Sequence, residues 1–269
     1  MWEIFAWEDK QMFQSKHFLY VLCWCFLLAV FFPLPLPVHA QDTNQITSEM
    51  LFDAFLSGLH PESMEMILDA APDENGRVPR IYLDLEGCHV GHVRIERLQV
   101  DAMDVAFTHP STWAETGPGV ELALLVRTKA WVCEDDVDAA LRSGIFGGVE
   151  KSWQDVRLRF RDGGVYVKGY KKVLFLNIFF ELQGRFDIRN GRELWLTDYS
   201  MRINNVNAPE GLTERTVSQI QPLIDLRAFS FPLKLKRAIQ IKDYLILESR
   251  TPPEPFEGIH FQYKGSETN

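Results

Sequence analysis

The chain has 269 residues, four cysteines and a formal net charge of −9. A chain of this length buries a core large enough to fold without disulfides or a structural metal. Its charge is divided: residues 41–150 carry 7 Lys/Arg against 20 Asp/Glu, and residues 151–250 carry 18 against 11. The basic half suggests an anionic partner; the alternative is a bipolar charge distribution that serves solubility.

The N-terminus has the pattern of a secretory signal peptide. Lys16 and His17 precede an apolar run over residues 18–32, and three prolines then lead into the small-residue sequence Val38-His39-Ala40. This order predicts a signal peptide over residues 1–40 that is cleaved after Ala40; the alternative is an uncleaved anchor. The apolar run is short for a bilayer span, which needs about 20 residues. We therefore expect a periplasmic or cell-envelope protein, soluble after cleavage, for which a lipid headgroup is a better anionic partner than nucleic acid.

The next segment, residues 41–79, is predicted to be an N-terminal helical region. Leu51, Phe55 and Leu59 recur every four residues and predict a helix over residues 46–59. Residues 61–71 begin with Pro61, which suits a first helical position. Their apolar positions also follow a helical spacing, so they are predicted to continue the helical region.

Strand signals dominate residues 80–250, which are predicted to form the main domain. Apolar alternation over residues 93–107 slips phase twice, as in one long strand with bulges or in two short strands. Hairpin turns are predicted at Asp162-Gly163-Gly164 and Asn190-Gly191. A helix is predicted from about residue 209, with Pro222 ending or kinking it. Two final strands precede a Pro-rich tail, residues 251–269, predicted to be disordered. The fold class is α+β with long antiparallel strands.

Residues suited to catalysis or to metal binding are few. Cys88, His89 and His92 cluster, but a zinc site normally needs three or four convergent ligands. The acidic residues 134–136 suit the first turn of a helix better than a cation site. Nucleophile and phosphate-loop motifs are missing, so we expect no catalytic residues, no enzyme activity and no cofactor. Cys88 and Cys133 can pair as a disulfide or remain free thiols.

One stretch, residues 173–180, is apolar on both faces of its predicted strand. A strand with one solvent-exposed face has apolar residues on the other face only. One face can pack on the core while the other lines a lipid groove; the alternative is a central strand that protein covers on both sides. The candidate lipid-binding residues are Val173, Leu174, Phe175, Leu176, Phe179 and Trp195, with Lys171, Lys172 and Arg185 placed to meet the headgroup.

Residues 80–249 resemble the LmeA-like family of exported phospholipid-binding proteins. The resemblance is carried by EDDVDAAL at residues 134–141, by DVRL and DGGVYVKG between residues 155 and 169, and by IQPLIDL, FPLKL and IKDYLIL between residues 220 and 247. It implies a TULIP-like fold, in which a curved antiparallel sheet wraps one or two helices beside an apolar groove. It also implies non-enzymatic phospholipid binding, with lipid transfer or envelope maintenance as the process and transient contact with a membrane surface.

Overall fold

The computed structural model describes residues 41–142, 153–161, 163–173 and 175–265. The described residues from Thr43 onward belong to one compact unit. The predicted signal peptide, residues 1–40, lies outside the described residues. None of the helices in the described ranges is long and apolar enough to cross a membrane.

Two large antiparallel sheets and four helices make up the described chain, which confirms the α+β class. The first sheet has the strand order β11-β12-β4-β3-β2-β1-β13, and the second has the order β10-β8-β7-β6-β5, with β9 beside β8. The helices are α1 (Gln41–Leu59), α2 (Trp113–Thr116), α3 (Glu134–Ala140) and α4 (Glu210–Ser218), with a single 3-10 turn at Pro110–Thr112. The strands are β1 (Ser63–Leu68), β2 (Arg77–Val90), β3 (Val93–Phe107), β4 (Val120–Cys133), β5 (Trp153–Arg161), β6 (Gly164–Val173), β7 (Leu176–Arg189), β8 (Glu193–Ile203), β9 (Val206–Asn207), β10 (Ile224–Asp225), β11 (Leu235–Ile241), β12 (Tyr244–Ser249) and β13 (Ile259–Lys264).

Helix α1 packs its apolar face into the core. Leu51, Phe55 and Leu59 are all buried, as their spacing predicts, although the helix begins earlier than expected, at Gln41. The Phe55 ring lies 5.7 Å from that of Phe231 and 6.3 Å from that of Phe107, centroid to centroid. Buried aromatic pairs at these separations contribute about 0.5–1.5 kcal/mol beyond their buried area. The cluster fixes α1 against β3 and the loop before β11.

Strand β3 is one long strand rather than two short ones. It runs over 15 residues and pairs with β2 on one side and β4 on the other. Alternate residues of β3 are buried up to Ala102, and the alternation then shifts by one residue, so that Val105 is buried instead of Asp104. Asp104 has a φ of 50°, in the left-handed region, at this shift. The irregularity therefore explains one of the two phase slips in the sequence.

Residues 61–71 were predicted to be helical, and this prediction is wrong. Ser63–Leu68 form β1, which pairs with β2 on one side and with β13 on the other. Met66, Ile67 and Leu68 are consecutive and all buried. A short apolar run that is covered on both faces carries no periodicity that separates a strand from a helix.

The prediction of a disordered tail after residue 250 is also wrong for the described residues. Ile259–Lys264 form β13, whose six residues pair with the six residues of β1. The Phe261 ring lies 5.6 Å from that of Phe52 on α1, centroid to centroid. In the segment between β12 and β13, the Phe256 ring lies 4.4 Å from the Arg80 guanidinium, which also donates a hydrogen bond to the Glu254 carbonyl. The end of the chain thus completes the first sheet.

Two turns and one helix of residues 153–250 can be compared with the local signals in the sequence. Residues 190–192 join β7 to β8, and Asn190 at φ 54° and Gly191 at φ 68° adopt the left-handed conformation that asparagine and glycine tolerate best. In the β5–β6 turn Gly163 has a φ of 76°, while Asp162 lies outside the described residues. Helix α4 ends at Ser218, four residues before Pro222 rather than at it. Ile224 and Asp225 then form β10 against β8.

Candidate functional site

The residues predicted to line a groove lie at the end of the β6–β7 hairpin. The sequence predicted one strand through residues 173–188, but Val173 ends β6 and pairs with Leu176, which begins β7. Leu174 lies outside the described residues, and the side chain of Val173 is not described. The chain therefore reverses between Val173 and Leu176, and this reversal places the apolar residues at the tip of a hairpin instead of along one strand.

Four side chains form this apolar tip: Tyr170, Phe175, Leu176 and Phe179. Tyr170 and Phe179 are paired across the β6–β7 ladder, and their ring centroids lie 5.4 Å apart. Phe175 is 85% exposed and Leu176 is 58% exposed. The turn after β8 supports the tip, because the Asn204 amide donates to the Phe179 carbonyl at 2.9 Å. The Phe175 side chain is thus exposed at the end of a hydrogen-bonded hairpin.

Two lysine side chains lie next to the apolar tip on β6. Lys172 is exposed, pairs with Asn177, and has no ion-pair partner among the described residues. Lys171 is half-buried and follows the opposite face of the strand. Arg202 on β8 lies 3.7 Å from the Glu181 carboxylate. Tyr166 donates its hydroxyl hydrogen bond to the same carboxylate, and this bond raises the pKa of Tyr166. The positive charge beside the apolar tip is therefore carried by Lys171 and Lys172, because Glu181 balances Arg202.

Arg185 and Trp195 are not at the apolar tip. Arg185 pairs with Gly164 at the other end of the hairpin, about 30 Å from Leu176 by the rise of a strand. Trp195 pairs with Asp187, also at that end. Its indole nitrogen donates to Glu193 at 3.0 Å, and its ring lies 4.6 Å from the Arg189 guanidinium. The length of β7 between Leu176 and Arg185 therefore separates these two residues from the other candidates.

Two exposed apolar residues at this end of the second sheet escaped the sequence reasoning. Tyr170 belongs to the tip and lies directly before Lys171 and Lys172 in the sequence. Val206, which is 69% exposed, pairs with Ile203 and so lies in the same row as Phe180. Nothing in the local sequence marks Val206, because its position depends on the pairing of β8 with β9.

Four surface clefts of about 340 to 710 Å³ lie elsewhere on the described residues. The cleft of 710 Å³ lies between β8 and α4 and is lined by Asp198, Ser200, Glu210 and other polar residues. The cleft of 550 Å³ lies at the ends of β2, β3 and β4 and is mainly apolar. None of these four clefts is lined by a residue predicted to contact lipid.

The chain matches no family model, no curated protein and no solved structure. The function must therefore be inferred from the side chains of the protein itself. Among the described residues, the feature most relevant to the predicted lipid contact is the exposed Phe175 with Lys172 in the same hairpin. The resemblance to the LmeA-like family remains one of short sequence motifs.

Cys88 and Cys133 are free thiols in the structure. Cys88 lies opposite Ile95 of β3 on the β2 side. The β3–β4 register, extended by two residues, places Cys133 opposite Ile95 on the β4 side, so β3 lies between the two cysteines. Strands two apart are separated by about 10 Å, whereas disulfide-bonded Cα atoms lie within about 7 Å. His89 and His92 are exposed, and within the described ranges no three His, Cys, Asp or Glu residues converge as a metal site.

Proposed function

We propose that this protein binds phospholipid without catalysing a reaction, and that the apolar tip is its point of contact with lipid. The observation that carries the proposal is the exposure of Phe175 at the end of the β6–β7 hairpin, with Lys172 close to it in the same hairpin. Soluble proteins expose large apolar side chains together mainly where another apolar phase covers them. The nearby ammonium group suits a phosphate or another anionic headgroup.

The energetics favour transient contact with a membrane surface. Burying Phe175 and Leu176 in the acyl region would contribute roughly 1.5–3 kcal/mol each. Each basic residue close to an anionic surface adds about 1 kcal/mol. The sum corresponds to affinities between the millimolar and micromolar ranges. Binding of that strength allows the protein to dock on a bilayer and leave it, as lipid transfer between membranes requires.

The cellular setting is part of the same proposal. The signal-peptide pattern of residues 1–40 supports export to the cell envelope, where phospholipid surfaces are available. The packing of α1 on the first sheet supports a TULIP-like arrangement, in which a sheet wraps a helix. The short motifs that resemble the LmeA-like family support phospholipid as the ligand and envelope lipid homeostasis as the process.

A protein-interaction module without a lipid cavity is the second candidate. It is favoured by the finding that none of the four clefts is lined by the predicted lipid-binding residues. The two candidates make different predictions for the apolar tip. Lipid binding predicts that Phe175 enters an acyl phase, whereas a protein-interaction module predicts that a partner protein covers it.

Lipid extraction of the purified protein tests the proposal. The protein is purified from cells without detergent, extracted with organic solvent, and the extract is analysed by mass spectrometry for headgroup and acyl chains. We expect phospholipid to co-purify, or fluorescent phospholipid to transfer from donor vesicles to the protein. Neither co-purified phospholipid nor uptake from vesicles would contradict lipid binding and leave the protein-interaction module as the better account.

A further inference from the structure

The first half of β4 has a neighbouring strand on one side only. Strand β3 pairs with β4 along its length, but β12 pairs only with residues from Lys129 to Cys133. Within the described part of the chain, residues 120–127 have no strand partner other than β3. We refer to residues 120–127 as the β4 edge.

The β4 edge exposes apolar side chains and lacks the usual protection of an edge strand. Leu122 is 53% exposed, Leu124 is 60% exposed and Leu125 is 41% exposed. Natural edge strands are usually protected by lysine, by proline or by a covering element, since an open edge pairs with other strands. The strands at the two ends of the first sheet, β11 and β13, contain Lys236 and Lys264, whereas the β4 edge contains neither lysine nor proline.

Three residues of the β4 edge direct their backbone groups to the side opposite β3: Leu122, Leu124 and Val126. The Thr128 amide donates to the Ser249 hydroxyl at 2.9 Å, and Ser249 ends β12, which lies on that side. Backbone groups of alternate residues in a strand point to the same side. Because the β3–β4 ladder has no register shift along this part of β4, the three residues present their N–H and C=O groups to an incoming strand.

A second, antiparallel β4 edge fits the first when Leu124 lies opposite Leu124 of the partner subunit. Leu122 then lies opposite Val126 of the partner subunit, so the three residues with open backbone groups pair with one another. The exposed leucine side chains of the two copies cover each other on one face. The β3–β4 register places Asp104 opposite Leu124, so the two Asp104 carboxylates stay three strand spacings apart, about 14 Å.

The same register brings opposite charges together at both ends of the β4 edge. Glu121 lies opposite Arg127 of the partner subunit in a non-hydrogen-bonded pair, in which side chains approach most closely. Glu121 is exposed, and its carboxylate has no partner among the described residues. Arg127 shares the buried Asp101 carboxylate with Arg80, so one carboxylate faces two guanidinium groups. Each Glu121 would therefore add a carboxylate where a guanidinium group shares its acceptor.

The neighbouring registers do not give this match. Pairing of the open backbone groups allows the register to move only in steps of two residues. One step sets Glu121 opposite Leu125, which is apolar. A step the other way sets Glu121 opposite Lys129, whose open side β12 already occupies. The register about Leu124 therefore combines backbone pairing, contact between the leucines and two pairs of opposite charges.

We infer that the β4 edge binds a second copy of this chain, and that the two β4 strands pair antiparallel about Leu124 and so join the first sheets of two subunits. A two-fold axis at Leu124 makes the interface self-complementary. The assembly therefore closes as a dimer, because each subunit uses its β4 edge in the contact. This interface lies on the first sheet, whereas the apolar tip belongs to the second sheet, so the inference does not depend on lipid binding.

Analytical ultracentrifugation of the purified protein over a range of concentrations tests the dimer. We expect the dimer fraction of the natural protein to rise with concentration. Leu124→Lys sets two ammonium groups opposite each other and should leave a monomer, and Glu121→Lys, which sets lysine against Arg127, should weaken the dimer about tenfold. Ile241→Lys is the matched control, because it changes an exposed residue of β11 in the same sheet, and it should form the dimer as the natural protein does.

Cross-linking of single cysteines tests the register. Leu124→Cys places the two thiols on a hydrogen-bonded pair, whose Cα atoms lie about 5.5 Å apart. Leu122→Cys is the control, since Leu122 and its counterpart lie about 14 Å apart along the strands. Both variants also carry Cys133→Ser, which removes the partly exposed thiol. We expect a short bismaleimide to join two subunits of Leu124→Cys and to leave Leu122→Cys largely unlinked.

Three results would overturn the inference. The first is a natural protein that stays monomeric at every concentration. The second is a dimer that neither Leu124→Lys nor Glu121→Lys weakens, and the third is equal cross-linking of Leu122→Cys and Leu124→Cys. Phe175→Ser combined with Leu176→Ser should leave the dimer unchanged, so failure of this inference is distinguishable from failure of the lipid proposal.

Discussion

Asp138 Oδ1 accepts a hydrogen bond from the Leu158 amide at 2.8 Å and so joins α3 to the edge of β5. The other oxygen of the same carboxylate lies 3.0 Å from the Arg142 guanidinium and 3.7 Å from that of Arg157. Asp138 is only 4% exposed, so water does not replace these partners easily. The buried Asp138 carboxylate therefore accepts a hydrogen bond from an amide at the edge of β5, and Arg142 and Arg157 balance its negative charge.

Removal of this carboxylate should destabilise the fold. We expect Asp138→Ala to lower the free energy of unfolding by about 1–3 kcal/mol, because the buried Leu158 amide would lose its acceptor. Chemical denaturation followed by circular dichroism measures the change. Asp135→Ala is the matched control, since the Asp135 side chain is 83% exposed and its loss should change stability by less than about 0.5 kcal/mol. Equal losses in the two variants would contradict this role of Asp138.

Thr128 offers a substitution that should stabilise the protein. Its side chain is fully buried, and its Oγ1 atom has no hydrogen-bond partner among the described residues. Valine has nearly the same shape and no hydroxyl group to leave unsatisfied. We expect Thr128→Val to raise the free energy of unfolding by about 1 kcal/mol in the same denaturation experiment. A loss of stability would indicate that the hydroxyl has a partner, such as a bound water molecule.

The two cysteines should differ in reactivity. Burial raises the pKa of the Cys88 thiol to about 12, and the side chain is fully buried, whereas Cys133 is partly exposed. Under native conditions at pH about 8, we expect iodoacetamide to modify Cys133 and to leave Cys88 intact, because the thiolate is the nucleophile. Peptide mapping by mass spectrometry identifies the modified residue. Modification of Cys88 before Cys133 would contradict the buried position of β2.

The same pKa shift has a consequence for stability at alkaline pH. The folded-state pKa of Cys88 lies above the ordinary value of 9.0, so its contribution to stability is fully present below that pH. It is then lost as the pH rises toward about 12. A Cys88→Ala variant should lose less stability than the natural protein over this interval. An identical loss in both would contradict the shift.

Strand β13 should be needed for stability although it follows a Pro-rich segment. Removal of residues 251–269 would expose the edge of β1 and the Phe52 ring, so we expect the free energy of unfolding to fall by about 2 kcal/mol or more. Phe261→Ala should have a smaller effect, about 1 kcal/mol, because it removes only the ring contact. If the truncated and natural proteins unfold at the same denaturant concentration, β13 contributes nothing to the fold.

Local signals in the sequence predicted the elements that local chemistry determines. The spacing of Leu51, Phe55 and Leu59, and the Asn190-Gly191 turn, each specify a structure within a few residues. Strand β1 could not be predicted in this way, because its partner β13 lies nearly 200 residues later in the chain. A short apolar run gains its strand geometry only when such a distant partner is in place.

The candidate site was predictable only in part, for a related reason. The apolar character of residues 173–180 marked the segment that contains most of the apolar tip, but residues 174–175 lack the glycine, proline or asparagine that usually signals a reversal. Arg185 was grouped with Phe175 because both were placed on one strand, and Trp195 was placed on the strand that follows the Asn190-Gly191 turn. The exposure of Phe175 is a consequence of the reversal at residues 174–175 and has no separate signal in the sequence.

Vesicle binding by variants of the apolar tip tests the central claim most directly. The protein is mixed with phosphatidylcholine vesicles that contain or lack an anionic phospholipid, and the bound fraction is measured by flotation. We compare the natural protein with Phe175→Ser, with Phe175→Ser combined with Leu176→Ser, and with Ile241→Ser as the matched control. Ile241 is 52% exposed, and its neighbour Gln240 contacts Gly163 at the opposite end of β6 from the tip.

We expect the natural protein and Ile241→Ser to float with anionic vesicles, and the double variant to lose about tenfold or more of this binding, because two apolar side chains no longer enter the bilayer. Stability should be unchanged, since both altered side chains are exposed. Equal flotation of the natural protein and the double variant, or no flotation of either, would contradict lipid contact through Phe175 and Leu176.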